Sequence, residues 1–175
     1  MALLIDRPAW WWQGRLWSHL VSDVSLDELH LFARGVGLRY ISFGRDHYDV
    51  PEELFDHVVE LGAEVLDSRE LVRRLRAAGL RQRQGKAART WARRRVDVAV
   101  LDRAQRADLA ATADEFGLEV DAAWVFERPE TVVVALVAET GEVPESPSAI
   151  TQSGAPRVIT NEGDRLVIES VYGVF

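Results

Sequence analysis

Two histidines and two aspartates follow the strands that the sequence predicts near its start. Asp6 ends the first apolar run, His19 lies in the segment after it, and a polar loop further on contains His47 and Asp49. Because ligands of parallel α/β sheets bind outside the carboxyl ends of strands, we expect these four side chains to converge. Carboxylate and imidazole ligands suit Mg, Mn, Fe or Zn. All four are therefore candidate ligands of a divalent metal ion, and His47 and Asp49 are also candidate catalytic residues.

The same segments carry side chains that could bind a phosphorylated ligand. Arg15 and Arg45 provide the positive charge that holds phosphate. Trp10 or Tyr48 offers a ring on which a base could stack. Asp23 is a further candidate ligand-binding residue, and it shares a face with His19 if their segment is helical.

Each candidate also has a structural interpretation. Asp49 precedes a predicted helix and could cap it, while Asp6 could simply form a turn before Pro8. His19 could be a half-buried structural histidine. His30 and His57 lie within predicted helices at the edges of apolar stripes, which favours a structural role for both.

A run of tryptophans follows the first strand. Trp10, Trp11 and Trp12 are consecutive, so they cannot all face the core. We expect Trp17 to be buried, and Trp10 or Trp12 to border the pocket that holds His19.

Hydrophobic periodicity predicts strands alternating with helices at residues 1–79. We expect an α/β unit with three layers, built on three parallel strands. The predicted strands are residues 2–6, 39–44 and 63–67; the predicted helices are Ser25 to Gly37, 49–62 and 68–79, with a short helix or turn at 16–24.

The rest of the chain predicts a basic connection and a second unit. Residues 80–95 lack a sustained apolar stripe and indicate a basic linker or an exposed helix. Residues 96–175 indicate an α+β unit, with a helix that Asp102 caps and that Gly117 ends. Its strands could extend the first sheet into one continuous mixed sheet.

Positive charge is concentrated in one part of an acidic chain. The net charge is −7, yet residues 69–95 carry eleven Arg and Lys against Glu70 alone, a net of +10. A solvated helix face explains many of these arginines, but an aromatic ring among cations also suits a stacked base. The candidate nucleic-acid-binding residues are Arg89, Trp91, Arg93, Arg94 and Arg95.

Composition narrows the class of protein. With no cysteine, disulfides, thiolate metal sites and cysteine nucleophiles are excluded. No apolar run approaches the ~20 residues of a membrane span, and the start of the chain lacks the pattern of a secretory signal. We expect a cytoplasmic protein with no membrane partner.

Several motifs resemble one bacterial and phage family. They are "LLIDRPAW", "GRLWSHLVSD", "SLDELHLFA", "RDHYDVP" and "GAEVLDSRELVRRLRAAGLR", and they are similar to the family called domain of unknown function 4031 over about residues 2–80. The resemblance implies no activity, and Arg7, Trp11 and Trp12 depart from its spacing. The residues that carry it include Asp6, Trp10, Gly14, Arg15, Trp17, His19, Asp23, Glu28, His47, Tyr48 and Asp49.

Together these features favour a metal-dependent hydrolase that acts on phosphoesters of nucleotides or nucleic acid. A bound divalent ion would activate water and polarise a phosphoryl oxygen. The alternative is a non-catalytic module that binds nucleic acid or protein through the tryptophan loop and the basic segment. Either function is compatible with a homo-oligomer, and dependence on metal distinguishes the two.

Overall fold

The computed structural model describes residues 2–82, 91–129, 131–139, 157–162 and 165–173. The chain forms two compact units. The first unit contains Met1–Leu38 and Ser42–Gly85, and the second contains Arg39–Ile41 and Lys86–Phe175.

The first unit is built on a mixed sheet, so the expectation of an all-parallel sheet is wrong. Its strands are β1 (Leu3–Asp6), β2 (Trp10–Trp12), β3 (Arg15–Ser22), β4 (Tyr48–Pro51) and β5 (Glu64–Leu66). Strand β3 pairs antiparallel with β1, β2 and β4. Only β1 and β5 form a parallel pair.

Strand β3 occupies a segment that the apolar spacing predicted as a helix or turn. The segment forms a strand because a hairpin turn precedes it. In that turn Gln13 and Gly14 both adopt positive φ, 52° and 80°. Two such residues form the tight turn whose twist matches antiparallel strands, and Trp12 pairs with Arg15 across it. Along β3, Ser18, Leu20 and Ser22 alternate into the core.

The second predicted strand is also displaced. Residues 40–42 form a short 3-10 turn, and the strand that pairs with β3 is β4, which starts after the polar loop. Arg45 turns the chain back with a φ of 77°, so that Phe43 bridges to Tyr48. Asp49 therefore lies within a strand and does not cap a helix.

Helices were predicted more closely than strands. The structure contains α1 (Leu26–Val36), α2 (Glu52–Glu60), α3 (Ser68–Ala77) and α4 (Arg103–Phe116). Ser25 accepts from the Glu28 N–H, and Gly37 ends α1 in the left-handed conformation, as the sequence indicated. Asp67 caps α3 in the same way.

Helices cover the sheet of the first unit on both faces. Leu71 and Leu75 of α3 pack with Leu4 and Val21. On the opposite face, His30 of α1 contacts Tyr48, whose hydroxyl lies 2.8 Å from its Nδ1. Because side chains alternate along a strand, Asp6 and His19 share the α3 face with Leu4 and Val21.

The second unit has its own antiparallel sheet, so the two units do not share one continuous sheet. Strands β6 (Ala92–Asp97), β7 (Ala122–Arg128), β8 (Thr131–Glu139), β10 (Arg165–Gly173) and β9 (Arg157–Glu162) lie side by side in that order. One face packs against α4 through Leu109 and Ala113. Asp102 and Gln105 form the capping box that starts α4.

Residues 39–41 are held within the second unit by a buried carboxylate. Glu169 is fully buried and accepts from Arg39 Nε at 2.9 Å and from the Tyr40 N–H at 2.6 Å. Burial raises the pKa of Glu169 against the opposing effect of Arg39. No described helix is long and apolar enough to cross a membrane.

Acid should destabilise the first unit through His30. Burial lowers the pKa of His30 to about 4 from 6.5, so the unfolded chain binds a proton before the folded one does. The stabilisation is complete above pH 6.5 and falls as pH drops towards 4. Between pH 6.5 and 5 we expect the free energy of unfolding to fall by roughly 1.5 kcal/mol from this residue.

Chemical denaturation across this range checks the prediction. His30→Gln keeps a polar partner for the Tyr48 hydroxyl but does not titrate, so it should flatten the pH slope. His57→Gln, at an exposed position of α2, should keep the wild-type slope. Equal slopes in the two variants would contradict the prediction.

Candidate metal centre

The candidate site lies where the pairing of β3 is interrupted, between its partner strands β1 and β2. Ile5 pairs with Leu20, and pairing resumes where Trp10 faces Trp17. Between them, the side chain of Asp6 takes the place of a backbone acceptor, since its Oδ1 accepts the His19 N–H at 2.6 Å. The bulge therefore ties Asp6 directly to His19.

Asp6 also orients the imidazole of His19. Its Oδ2 lies 3.0 Å from His19 Nδ1 and accepts from Ser68 Oγ at 2.7 Å. Burial alone would raise the pKa of Asp6, but the hydrogen bonds from His19 and Ser68 outweigh it and lower the pKa. An ionised Asp6 holds the proton on Nδ1 of His19, which leaves the Nε2 lone pair available to a ligand.

His47 is oriented by a second buried carboxylate. Asp46 Oδ1 lies 2.6 Å from His47 Nδ1. The Asp46 carboxylate also accepts from the Gln82 N–H at 2.8 Å and from Arg81 at 3.2 Å. These bonds lower the pKa of Asp46 against the effect of its burial.

Two carboxylates raise the pKa of His47. Burial lowers the pKa, but the hydrogen bonds to Asp46 and Asp49 outweigh burial and raise it to about 9. Asp49 Oδ1 lies 3.5 Å from His47 Nε2. A metal ion on Nε2 would therefore have to displace a proton.

His19, His47 and Asp49 form a group with the spacing of metal ligands. One donor atom from each lies within 4.8 Å of the others. His19 faces Asp49 across β3 and β4, and the two imidazole rings meet edge-on with centroids 5.3 Å apart. Two imidazoles and one carboxylate are typical of catalytic zinc and non-haem iron sites with open positions. The donor set fits a divalent transition metal.

Gly44 makes room for His47. A Cβ at this position would lie 2.6 Å from both Cε1 and Nε2 of the His47 ring. The Gly44 N–H donates to the His47 carbonyl at 2.7 Å, which closes the turn. The ring thus packs on the glycine backbone.

Three indoles continue the site along the same face of the sheet. Trp10 stacks on His19 with ring centroids 5.9 Å apart; it also stacks on Trp12 and Trp17 at 6.0 and 5.9 Å. Trp10 Nε1 is buried and has no partner among the described residues, so stacking orients this ring. Trp10 thus lies beside His19, whereas Trp17, which we expected to be buried, is only half-buried. We call Trp10, Trp12 and Trp17 the indole wall.

The two predicted phosphate-binding arginines differ in environment. Arg15 lies on the face of the indole wall, opposite Trp12, where it is exposed and pairs with Glu53 at 3.4 Å. Arg45 is half-buried in the turn before Asp46. It has no ion pair with any part of the chain that the structure describes.

Two predicted ligand-binding residues do not fit that role. Asp23 forms an ion pair with Arg74, which lies on α3, so its carboxylate already has a structural partner. Tyr48 is completely buried and bonds to His30, so its ring has no free face for a base. Both side chains therefore have structural partners in place of a ligand.

The basic segment lies in the second unit. Arg93, Arg94 and Arg95 are exposed on β6, at one edge of the sheet, and Arg94 pairs with Glu127 at 3.3 Å. Exposed charge is a common device that prevents edge strands from pairing with other chains. Arg89 lies outside the described residues.

Trp91 is engaged within its own unit. Its Nε1 donates to the Ile41 carbonyl at 2.8 Å, its ring meets Tyr40 edge-on, and Arg128 lies 4.1 Å from the ring centroid. These contacts leave little of the indole for a stacked base. The geometry favours a structural role.

Sequence reasoning missed the residues that support the ligands. Asp46 adjoins His47, and Ser68 follows the Asp67 cap, yet nothing in their spacing shows that each would bond to a buried site residue. The signal for Gly44 was present, because a glycine before a polar turn commonly marks a close approach. Gly14 was a local sign of the hairpin turn, although Gln-Gly is not among the dipeptides that typically form one.

Comparison with known proteins finds a match in the part of the chain that holds the site. Residues 3–78 match the model of the family described as protein of unknown function (DUF4031), as the motifs suggested. The candidate metal ligands and the indole wall all lie within this range. Searches of curated proteins and of solved structures found no match.

Removing the charge of Asp46 should lower the pKa of His47. Asp46→Asn takes away the negative partner while the imidazole stays buried, so the pKa should fall from about 9 by about 1–3 pH units. Titration of the imidazole protons by NMR in metal-free protein measures this. Asp56→Asn, at an exposed position of α2, is the control and should leave the value unchanged. An unchanged pKa of His47 in Asp46→Asn would contradict the assigned contact between these two side chains.

Adding a methyl group at Gly44 should displace His47. In Gly44→Ala the new Cβ contacts a ring that Asp46 holds in place, and overpacking of this kind costs about 1–3 kcal/mol. Gly35→Ala is the matched control, since that glycine lies in α1 with open space around its Cα. We expect lower thermal stability and shifted His47 resonances only in Gly44→Ala. Stability equal to that of wild type, with unchanged resonances, would show that the turn absorbs the methyl group.

Proposed function

We propose that this protein is a metal-dependent hydrolase of phosphoesters, with His19, His47 and Asp49 as its metal ligands. The observation that carries the proposal is the pair of buried carboxylates behind the two imidazoles. The Asp6 carboxylate is within hydrogen-bond distance of His19 Nδ1, and the Asp46 carboxylate is within hydrogen-bond distance of His47 Nδ1. Carboxylates in this position typically orient metal-bound histidines and raise their basicity.

The ligand set supports a catalytic site more than a structural one. Structural zinc sites are usually closed by four protein ligands, whereas catalytic sites keep positions open for water and substrate. The described residues supply three ligands in one group, and the side chain of His19 is about one-third exposed. Solvent can therefore reach the donor group.

Such an ion would supply Lewis acidity and a water of lowered pKa. In hydrolysis, the water oxygen forms a bond to phosphorus as the P–O ester bond breaks. The departing alkoxide takes up a proton, so the products are a phosphate and an alcohol. Arg45, in the turn that presents His47, is the candidate for stabilising the phosphoryl oxygens.

The alternative function is a non-catalytic module that binds nucleic acid or protein. It would use the exposed arginines of β6 and the indole wall, and it requires no metal. The engagement of Trp91 by neighbours of its own unit weakens its part in this alternative.

Metal binding tests the proposal first. Calorimetric titration of zinc into chelator-treated protein should give one ion per chain, and His19→Ala or His47→Ala should abolish this binding. Asp6→Asn should lower the affinity by about 10–100-fold, as expected for loss of an orienting carboxylate. His57→Ala, at an exposed position of α2 and outside the ligand group, is the control and should bind zinc normally.

Activity is the second readout. Hydrolysis of p-nitrophenyl phosphate, a monoester, or of the diester bis(p-nitrophenyl) phosphate should disappear with chelator, return with zinc or manganese, and be absent in Asp49→Asn. Zinc binding that survives His19→Ala would overturn the metal site. Normal zinc binding without hydrolysis of any phosphoester would overturn the reaction class and favour the binding module.

A further inference from the structure

We propose that the ligand of this site is a free nucleotide, whose base stacks on the indole wall while its phosphate reaches the metal centre. This inference rests on the proposed function and narrows its substrate from phosphoesters in general. It commits to a small nucleotide and against a nucleic-acid chain.

The indole wall is continuous with the metal ligands. Trp10 stacks on His19, and Trp12 stacks on Trp10 with nearly the same separation. Trp12 is 48% exposed, so it presents aromatic surface beside the ligand group. A planar base on that surface would gain stacking energy whatever hydrogen-bonding groups its edge carries.

Contacts within the β2–β3 hairpin hold the wall in place. Trp17 Nε1 donates to the Trp12 carbonyl at 2.8 Å, which ties the side chain of β3 to the backbone of β2. The tight turn at Gln13 and Gly14 fixes the register of the same hairpin. A rigid stacking surface binds with less loss of conformational entropy than a mobile one.

Acidic side chains beside the wall disfavour a polyanion. Helix α2 starts next to Trp17, which pairs with Pro51, and the carboxylates of its first turn reach β3, where Glu52 accepts from the Leu16 N–H at 2.9 Å. Glu53 pairs with Arg15 at 3.4 Å, so this cation beside the wall already has an anionic partner. A nucleic-acid chain needs clustered cations along its phosphates, whereas a nucleotide needs them only at the metal end.

The strand that carries Trp12 also provides a matched control. Trp11 is the adjacent residue and is 69% exposed, but strand alternation directs its side chain to the other face of the sheet. Trp11→Ala and Trp12→Ala therefore remove the same side chain from neighbouring positions, and only Trp12→Ala alters the wall.

The experiment measures binding of the 5′-methylenephosphonate analogue of AMP to zinc-loaded protein by calorimetry. This analogue has no P–O ester bond to break, so it stays intact. We expect Trp12→Ala to weaken its binding by about tenfold or more, Trp12→Phe to retain most of it, and Trp11→Ala to match wild type. A single-stranded oligodeoxyadenylate should bind more weakly than the analogue.

Three outcomes would overturn the inference: equal losses in the two alanine variants, no binding of the analogue, or tighter binding of the oligonucleotide. Zinc affinity is measured in parallel for each variant and should stay at the wild-type value. If zinc binds normally and the analogue results fail, only the substrate class is wrong. If zinc does not bind to wild type, the proposed function itself fails.

Discussion

The first unit depends on the hydrogen bonds that the buried carboxylate of Asp6 accepts. This carboxylate accepts the His19 N–H where the strand pairing is interrupted, it orients the His19 ring, and it accepts from Ser68 as α3 begins. One buried charge thus connects strands β1 and β3 with helix α3. An unpaired charge at this depth would be strongly unfavourable, so the three donors are needed for the fold as well as for the site.

His47 is also oriented by a buried carboxylate, which comes from a different part of the chain. Asp46 is buried in a turn and receives its donors from His47 and from residues that follow α3. Each imidazole therefore has its own carboxylate, and each carboxylate has donors beyond that imidazole. Such support restricts both rings before a ligand arrives, which is the condition for a preorganised metal site.

Local signals in the sequence predicted the helices well, and the strands less well. Caps act through neighbouring residues, so Ser25, Gly37, Asp67 and Asp102 could be interpreted from the sequence alone. Strands β3 and β4 depend on partners distant in the chain, and the apolar spacing in β3 is compatible with a helix until the hairpin is known. The expectation of a parallel sheet was wrong for this reason. The sequence predicted a strand at residues 39–44, before the polar loop, whereas β4 begins after that loop.

We expected Asp6, His19, His47 and Asp49 to converge as metal ligands. The structure groups the last three as possible ligands, whereas Asp6 lies behind His19 on its Nδ1, and the arrangement differs from the expected one. They do not meet at the carboxyl ends of two parallel strands; His19 and Asp49 face each other across antiparallel β3 and β4. Alternation along β3 then sends Arg15, Trp17 and His19 to one face and Ser18 and Leu20 to the core. Because a slip of one residue would exchange these faces, the Gln13-Gly14 turn and the Asp6 bond fix the core and the candidate site together.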